Sequence, residues 1–132
     1  MEAKLAYLGI DIGTSACKAL VLGKDGNVLA SHTSEYSLEQ PYPGWTEQDP
    51  RVWIKGAKDS ISGALSQMPH SNISAVGLSG QMHGLTPIDK TGNVIRPAIL
   101  WNDQRNFKEA AEIEALAGGT KKLLQLTNNR RL

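Results

Sequence analysis

An apolar run that ends in an acid and a glycine turn constrains this chain most. Residues 5–12 read LAYLGIDI, and Gly13, Thr14 and Ser15 follow directly. A short apolar run bounded by turn residues is typical of a buried strand. Residues 16–22, ACKALVL, predict a second strand that returns from the turn. The chain therefore opens as a hairpin with an aspartate at the end of its first strand.

A second turn extends this hairpin. Asp25 and Gly26 separate the second strand from a third, predicted over residues 27–36. An Asp-Gly pair between apolar runs is a strong hairpin signal. The first third of the chain is therefore predicted to be a three-stranded antiparallel meander.

Helix and strand signals alternate after the meander. Asp49 followed by Pro50 predicts a helix start, with proline at the first helical position and Pro69 as the stop. Residues 73–79 predict a fourth strand, which a crossover would place parallel to an earlier one. Short strands over 84–88 and 94–100 come next.

Two helices are predicted to end the chain. The first covers residues 103–117 and the second residues 120–126. In the first helix we expect the inward positions to be Phe107, Ala110, Ala111 and Ala117. The β-β-β-α-β-α order gives an α/β fold with a mixed sheet. It matches the half-domain of actin-like and ribonuclease H-like ATPases.

Composition excludes several classes of protein. The 132 residues fit one domain, and a net charge of +1 gives no basic excess for nucleic acid binding. We find no apolar run long enough for a membrane span and no signal-peptide pattern at the start. Cys17 is the single cysteine, so no internal disulfide is possible, which agrees with a cytoplasmic location.

The first candidate site follows the opening strand. Asp11 is placed to hold Mg²⁺, and the turn at Gly13, Thr14 and Ser15 offers backbone N–H groups and hydroxyls to phosphate oxygens. Lys18 is close enough in sequence to reach the same phosphates. A plain hairpin with a capping aspartate explains the same residues equally well. The glycine spacing is that of neither a Walker loop nor a dinucleotide-binding fingerprint.

The second candidate site follows the fourth strand. Gln81, Met82 and His83 lie between two glycines, at the carboxyl end of a strand where ligands bind in open α/β sheets. The imidazole can exchange hydrogen bonds with a sugar hydroxyl, and the thioether offers an adaptable apolar wall. A structural turn with a solvated histidine is the alternative.

A tryptophan and two polar residues complete that site. Trp101 can pack its indole on the C–H face of a sugar, and Asn102 and Asp103 can bind hydroxyls. The alternative is a core tryptophan followed by an N-capping aspartate, and Asp103 can be both cap and ligand. Trp53 is predicted to be a core residue of the first helix. For Trp45, loop packing and ligand contact remain equally open.

Taken together, these segments resemble the FGGY family of carbohydrate kinases, and within it the xylulokinases. The matching segments are residues 7–15, 44–50, 77–84 and 96–105. The resemblance implies two actin-like domains that close around ATP, Mg²⁺ and a sugar. It implies that Asp11 holds the Mg²⁺-nucleotide through water and that the following turn faces the phosphates. It places Met82, His83, Trp101 and Asp103 on the sugar.

The resemblance also suggests which sugar is the substrate, and that this chain is a fragment of a longer kinase. Gly84 and the Trp-Asn-Asp run favour D-xylulose, phosphorylated on its 5-hydroxyl, although some gluconate kinases share the Met-His pair. Full-length relatives, often homodimers, are several times longer, and their catalytic aspartate lies beyond the position matching Leu132. We therefore expect residues 1–132 to be the N-terminal part of the first kinase domain, with little turnover alone. A gluconate, polyol or other ketose kinase and a non-catalytic assembly module are the alternatives.

Overall fold

The computed structural model describes residues 4–68 and 71–129. Its elements, in chain order, are β1 (Lys4–Ile12), β2 (Ala16–Gly23), β3 (Val28–Glu35), β4 (Glu47–Gln48), α1 (Pro50–Leu65), β5 (Ser71–Gly80), β6 (Ala98–Ile99), α2 (Phe107–Leu116) and α3 (Thr120–Thr127). None of the helices in these two ranges has the length and apolarity that crossing a bilayer requires.

The main sheet has four strands in the order β3-β2-β1-β5. β2 runs antiparallel to both β1 and β3, which confirms the predicted meander. β5 runs parallel to β1, with α1 as the crossover between them, as predicted. The register places Asp11 between Lys18 on β2 and Ser79 on β5. The opening strand is therefore central, and its carboxyl end has a neighbour on each side.

The core lies between α1 and one face of the sheet. Strand residues alternate between the two faces, so every second residue of β1 and β2 points at the helix. The buried core consists of Ala6, Leu8, Ile10, Cys17, Ala19, Val21, Ala30 and Ala64. Small residues let the helix approach closely: a Cβ added at Gly56 would lie 2.8 Å from the Tyr36 ring. Cys17 packs inside this core, as expected, with its Sγ 3.3 Å from the Ser60 hydroxyl.

The start of α1 agrees with its sequence signal. The Asp49 carboxylate accepts a hydrogen bond from the Arg51 backbone N–H at 2.9 Å, and Pro50 is the first helical residue. The helix ends at Leu65, and the predicted stop at Pro69 lies outside the described residues. Trp53 is half-buried and lies outside the hydrophobic core cluster, so its prediction as a core residue is wrong.

The strands predicted over 84–88 and 94–100 are reduced to isolated pairs. Only β6 is a strand, and it pairs with β4. Single bridges join Leu85 to Ile99 and Ile88 to Val94. Pro87 lies in the first predicted strand, and proline has no N–H to donate to a ladder. A longer ladder cannot form around it.

The predicted helix over 103–117 begins later than expected. α2 starts at Phe107, after an N-cap at Asn106, so Asp103 is not the cap. The Asp103 carboxylate instead accepts hydrogen bonds from the Arg105 side chain and from the Thr46 backbone N–H. The inward orientation expected for Phe107 is also wrong, since its side chain is 65% exposed, and that expected for Ala111 fails likewise. α2 buries none of its residues.

Candidate functional site

Asp11 lies on the face of the sheet opposite α1. Its neighbours Ile10 and Ile12 point towards the helix, so alternation directs the carboxylate to the open face, where it is exposed. Lys18 is its cross-strand partner and is also exposed. Side chains directly opposite on neighbouring strands lie within about 5 Å at Cβ. The sheet therefore brings the predicted metal ligand and the predicted phosphate lysine together.

The turn after Asp11 is tightly closed. The Gly13 N–H donates to the Ala16 carbonyl at 2.9 Å, and a Cβ on Gly13 would lie 3.1 Å from that oxygen. The Tyr36 hydroxyl donates to the Gly13 carbonyl at 2.6 Å. Burial, and to a smaller extent the nearby Cys17 and Asp11, raises the pKa of Tyr36 to about 12. Tyr36 is therefore a permanent donor that fixes the turn at any physiological pH.

A shallow groove runs along the open face beside Asp11. Gly9 and Gly77 are register partners and form its floor. The groove has a volume of about 360 Å³, and Asp11, Lys18 and Ser79 lie on its lining. A Cβ on Gly77 would meet no atom within 4 Å, so the space above it is open. The groove can admit a ligand directly against the backbone, with a carboxylate and an ammonium at hand.

The residues after β5 form a corner at the same end of the sheet. The Gln81 N–H donates to the Ile12 carbonyl at 2.9 Å, which ties the corner to the end of β1. Met82 is 67% exposed, and His83 is exposed. His83 has a φ of 58°, in the left-handed region that non-glycine residues seldom adopt. Such backbone strain is concentrated at functional sites.

A second cavity, of about 250 Å³, lies at this corner. It brings together three of the predicted sugar-binding residues, His83, Trp101 and Asp103. Leu85, Ile99, Leu100, Arg105 and Asn106 complete its lining. Gln81, Met82 and Asn102 are not on that lining. The cavity therefore groups the histidine and the tryptophan, which come from loops separated by β6.

Asp103 is the most constrained residue of the cavity. Its side chain is 3% exposed, and four donors surround it. Oδ2 accepts from the Thr46 N–H at 2.6 Å and from Arg105 Nη2 at 2.7 Å. Oδ1 accepts from the Arg105 backbone N–H at 2.9 Å and from its Nε at 2.8 Å. Each carboxylate oxygen has two acceptor positions, and all four are occupied. A sugar hydroxyl could donate to Asp103 only if one of these four donors moved away.

The electrostatics of Asp103 follow from these contacts. Burial alone would raise the pKa of Asp103, but the hydrogen bonds from Arg105 and from the Thr46 backbone outweigh it and lower the pKa to about 2. The same carboxylate raises the pKa of Arg105. The pair is therefore fully ionised at neutral pH.

An ion-pair network that sequence reasoning missed extends behind the cavity. Arg105 also reaches Glu47 at 2.7 Å, and Arg96 reaches the same carboxylate at 2.5 Å. The Arg105 guanidinium lies 3.7 Å above the Trp45 ring. Trp45 therefore packs within the loops rather than standing free for a ligand. The only signal in the sequence was that the segments 44–50 and 96–105 both belong to the family resemblance, and β4 and β6 join them.

The two candidate sites touch each other. The Trp101 indole N–H donates to the Thr14 hydroxyl at 3.2 Å. The side chain of Gln48, a buried residue absent from the sequence prediction, donates to the Thr14 carbonyl at 3.1 Å. The turn predicted to face phosphates and the cavity predicted to face a sugar therefore share a wall.

The described residues offer Mg²⁺ one carboxylate rather than a cage. In residues 4–68 and 71–129 no group of three or more His, Cys, Asp or Glu side chains could hold a metal ion. Mg²⁺ keeps several waters and binds through one or two carboxylates together with substrate phosphates. An exposed Asp11 beside a turn of hydroxyls and N–H groups fits that mode of binding.

The mixed sheet and its helical crossover give the chain the α/β fold of an actin-like domain of the sugar kinase type. The sequence profile of the "FGGY family of carbohydrate kinases, N-terminal domain" matches residues 6–130. The chain belongs to the FGGY family of carbohydrate kinases, and the expectation drawn from its four motifs is confirmed.

Individual relatives agree with this assignment. The chain is 45% identical over 126 residues to the xylulose kinase of Staphylococcus xylosus. This alignment covers 95% of this chain and 26% of that protein. The xylulose kinase of Klebsiella pneumoniae is 41% identical, over 93% of this chain and 25% of its own length. A xylulose kinase structure from Brucella ovis superposes with a TM-score of 0.88 at 41% identity, over 96% of this chain and 26% of that one. The chain spans about a quarter of the length of these three relatives.

Proposed function

We propose that this chain supplies the first wall of the active site of an ATP-dependent kinase that phosphorylates D-xylulose on its 5-hydroxyl. The hydrogen bond between Trp101 and Thr14 carries the proposal, because it joins the cavity to the turn. Phosphoryl transfer needs a nucleotide phosphate and an acceptor hydroxyl in line, and a shared wall provides that proximity.

The turn is assigned to the nucleotide. Thr14 and Ser15 offer N–H groups and hydroxyls to phosphate oxygens, while the Gly13 N–H closes the turn on the Ala16 carbonyl. Lys18 adds a cation on the same face as Asp11. Asp11 would hold Mg²⁺ through its water shell, and that ion neutralises charge on the phosphates when bound. The Tyr36 bond keeps the turn in place in the ligand-free chain.

The cavity is assigned to the sugar. His83 presents an exposed imidazole to hydroxyls, and Trp101 presents an apolar face to the ring or chain carbons. Gln81, Met82 and Asn102 are also assigned to the sugar in our proposal, although none of them lies on the cavity lining. Asp103 acts chiefly through Arg105, which it orients, since its own acceptor positions are filled.

The identity of the sugar rests on the relatives. The protein from Staphylococcus xylosus and the one from Klebsiella pneumoniae are both named xylulose kinases, and each is above 40% identity. Gluconate remains the competing substrate, because the Met-His pair alone does not select between the two. The proposed cellular setting is the cytoplasm, where ATP and phosphorylated sugars are kept.

The catalytic base is not assigned to this cavity. Asp103 is the one carboxylate among the residues that line it, and its four acceptor positions are engaged. A group with a pKa of about 2 is also a poor proton acceptor at neutral pH. General-base catalysis contributes roughly 10²–10⁴-fold, so we expect little or no turnover from the 132 residues alone.

A chimera tests the proposal. The chain replaces the matching 126-residue stretch of the Staphylococcus xylosus enzyme, and ATP-dependent phosphorylation is measured with D-xylulose, gluconate and glycerol. We expect D-xylulose to be preferred. In the same chimera His83→Ala should raise the KM for D-xylulose about tenfold, the effect of one lost hydrogen bond, and leave the KM for ATP unchanged.

Three results would count against the proposal. A folded chimera that phosphorylates none of these sugars removes the kinase function and favours a binding or assembly module. A preference for gluconate changes the substrate. An effect of His83→Ala on ATP alone moves this residue out of the sugar cavity. His32→Ala, an exposed histidine on β3, is the matched control and should change neither KM.

A further inference from the structure

A buried glutamine links the turn, the corner and the helix. Gln48, on β4, is 1% exposed and is the largest fully buried side chain of the described residues. Its Nε2 donates to the Thr14 carbonyl at 3.1 Å and to the Ser37 carbonyl at 2.8 Å. Its Oε1 accepts from Trp53 Nε1 at 2.5 Å and from Gln81 Nε2 at 3.5 Å. Both donor hydrogens and both acceptor positions of the amide are used.

The orientation of this amide is fixed by its partners. The Trp53 indole can only donate, so it must face the Gln48 oxygen. The carbonyls of Thr14 and Ser37 can only accept, so they must face the nitrogen. A flipped amide would break three contacts at once. The Gln48 amide therefore has one stable orientation, and it fixes the positions of the groups that are hydrogen-bonded to it.

Gln81 is the adjustable partner of this cluster. Its backbone N–H is held by the Ile12 carbonyl, but its side-chain contact to Gln48 is the longest of the four. Its Oε1 is buried and has no hydrogen-bond partner within the described part of the chain. A buried acceptor without a hydrogen bond is unfavourable by about 1–3 kcal/mol. A donor group that reached Gln81 Oε1 would therefore gain a favourable hydrogen bond. Gln48 sets the side on which that donor must arrive.

We propose that Gln48 is a positioning residue. It holds the turn at residues 13–15, here called the phosphate turn, and the corner at residues 81–83 in a fixed relation to each other. It touches neither cavity and acts through the Thr14 carbonyl, which places the Thr14 hydroxyl opposite Trp101. This inference rests on the proposed function of the turn and the corner. A glutamine that only fills space would support the fold without any effect at Trp101.

The chain contains a matched control for this residue. Gln67 also donates its Nε2 to two backbone carbonyls, those of Ser31 at 3.0 Å and Gly63 at 2.9 Å. Gln67 itself follows the end of α1, and both contacts are exposed. Gln48→Met and Gln67→Met each remove the same number of donor bonds and keep a similar volume. Only the first is expected to change the site.

The experiment is amide and indole NMR on the ligand-free 132-residue chain. In Gln48→Met we expect a shifted Trp53 indole signal, because its acceptor is gone. We also expect the Trp101 indole N–H and the Gly13 amide, which donates to the Ala16 carbonyl at 2.9 Å, to exchange with solvent about tenfold faster, the effect of roughly 1.4 kcal/mol of lost local order. Gln67→Met should leave all three signals unchanged. Unchanged exchange at Trp101 and Gly13 in Gln48→Met, with a shifted Trp53 signal, overturns the proposal.

A second variant covers the case in which Gln48→Met does not fold. Trp53→Phe removes only the donor that orients the amide, at a half-buried position. It should also speed exchange at Trp101, by a smaller factor, and no change there refutes the inference. These readouts need no ligand. A chimera inactive on every sugar would therefore reject the proposed function while the exchange data still decide on Gln48.

The kinetic readout completes the test. In the chimera, Gln48→Met should lower kcat and leave the KM for D-xylulose within about twofold, because positioning of the phosphate turn is lost while sugar contacts remain. Gln67→Met should alter neither constant. An equal loss of kcat in both variants would show that Gln48 acts only through general stability.

Discussion

Trp101 donates its indole N–H to the hydroxyl of Thr14 across 3.2 Å, although the two residues are 87 positions apart in the chain. The strand β1 delivers the hydroxyl through the turn that follows it, and the loop after β6 delivers the indole. No local pattern in the sequence encodes this contact. It brings the segments that carry two of the sequence motifs into contact.

A double-mutant cycle measures the strength of that contact. Thr14→Val keeps the shape of the side chain, Trp101→Phe keeps an aromatic ring, and each removes one partner of the bond. We expect a coupling of about 0.5–1 kcal/mol in the free energy of unfolding, at the low end for a hydrogen bond because this one is exposed. Urea denaturation of the four proteins measures it. Additive effects of the two changes would show that the contact has no energetic weight.

Asp103 is expected to be the most sensitive carboxylate of the described residues. Asp103→Asn removes the bidentate partner of the Arg105 guanidinium and leaves it paired with Glu47 alone, so we expect a loss of about 2–3 kcal/mol in the free energy of unfolding. Asp59→Asn is the control, since it breaks an exposed pair with Lys55 on α1 and should change stability by less than about 1 kcal/mol. Similar losses for both variants would contradict a structural role for the Asp103 pair.

The pH dependence of stability follows from the same carboxylate. The pKa of Asp103 is about 2 in the folded chain and about 3.9 when unfolded, so its contribution is complete above pH 4. It is lost as the pH falls from about 4 to about 2, and amounts to on the order of 2–3 kcal/mol. Asp103→Asn should therefore show a flatter loss of stability over that range. An unchanged slope, measured by urea denaturation at each pH, would refute this assignment.

Two glycines at the site differ in what a methyl group would meet. Gly77→Ala places its Cβ in open space on the groove floor, so it should stabilise the strand by about 0.5 kcal/mol. Gly80→Ala places its Cβ 2.9 Å from the Ile12 carbonyl oxygen, so it should destabilise by about 1–3 kcal/mol. Thermal unfolding of the two variants separates them. Destabilisation by Gly77→Ala would mean that the groove is not open.

Local signals in the sequence predicted the framework well. Asp25-Gly26 marked a real hairpin, and Asp49-Pro50 marked the first residues of α1, because both depend on backbone geometry and capping within a few residues. The parallel position of β5 followed from the rule for crossovers. The family assignment from four ordered motifs was correct.

Contacts between distant segments could not be predicted in the same way. The sequence suggested Asp103 as a helix cap, but its carboxylate accepts hydrogen bonds from Arg105 and from the Thr46 backbone instead. Gln48 gave no signal, since a glutamine in a polar stretch reads as a surface residue until its four partners are brought around it. Burial of a polar side chain is decided by tertiary packing, which a short window of sequence does not contain.

The central claim is that Asp11 and the turn after it face the nucleotide, next to the sugar cavity. The most direct measurement is the rate of ATP-dependent D-xylulose phosphorylation by the chimera with Asp11→Ala, beside Asp59→Ala as the control. We predict that Asp11→Ala lowers kcat by at least about 100-fold, the scale of a lost electrostatic contact in a transition state, and that Asp59→Ala leaves it unchanged. A folded Asp11→Ala chimera with the kcat of the unaltered one would contradict the account.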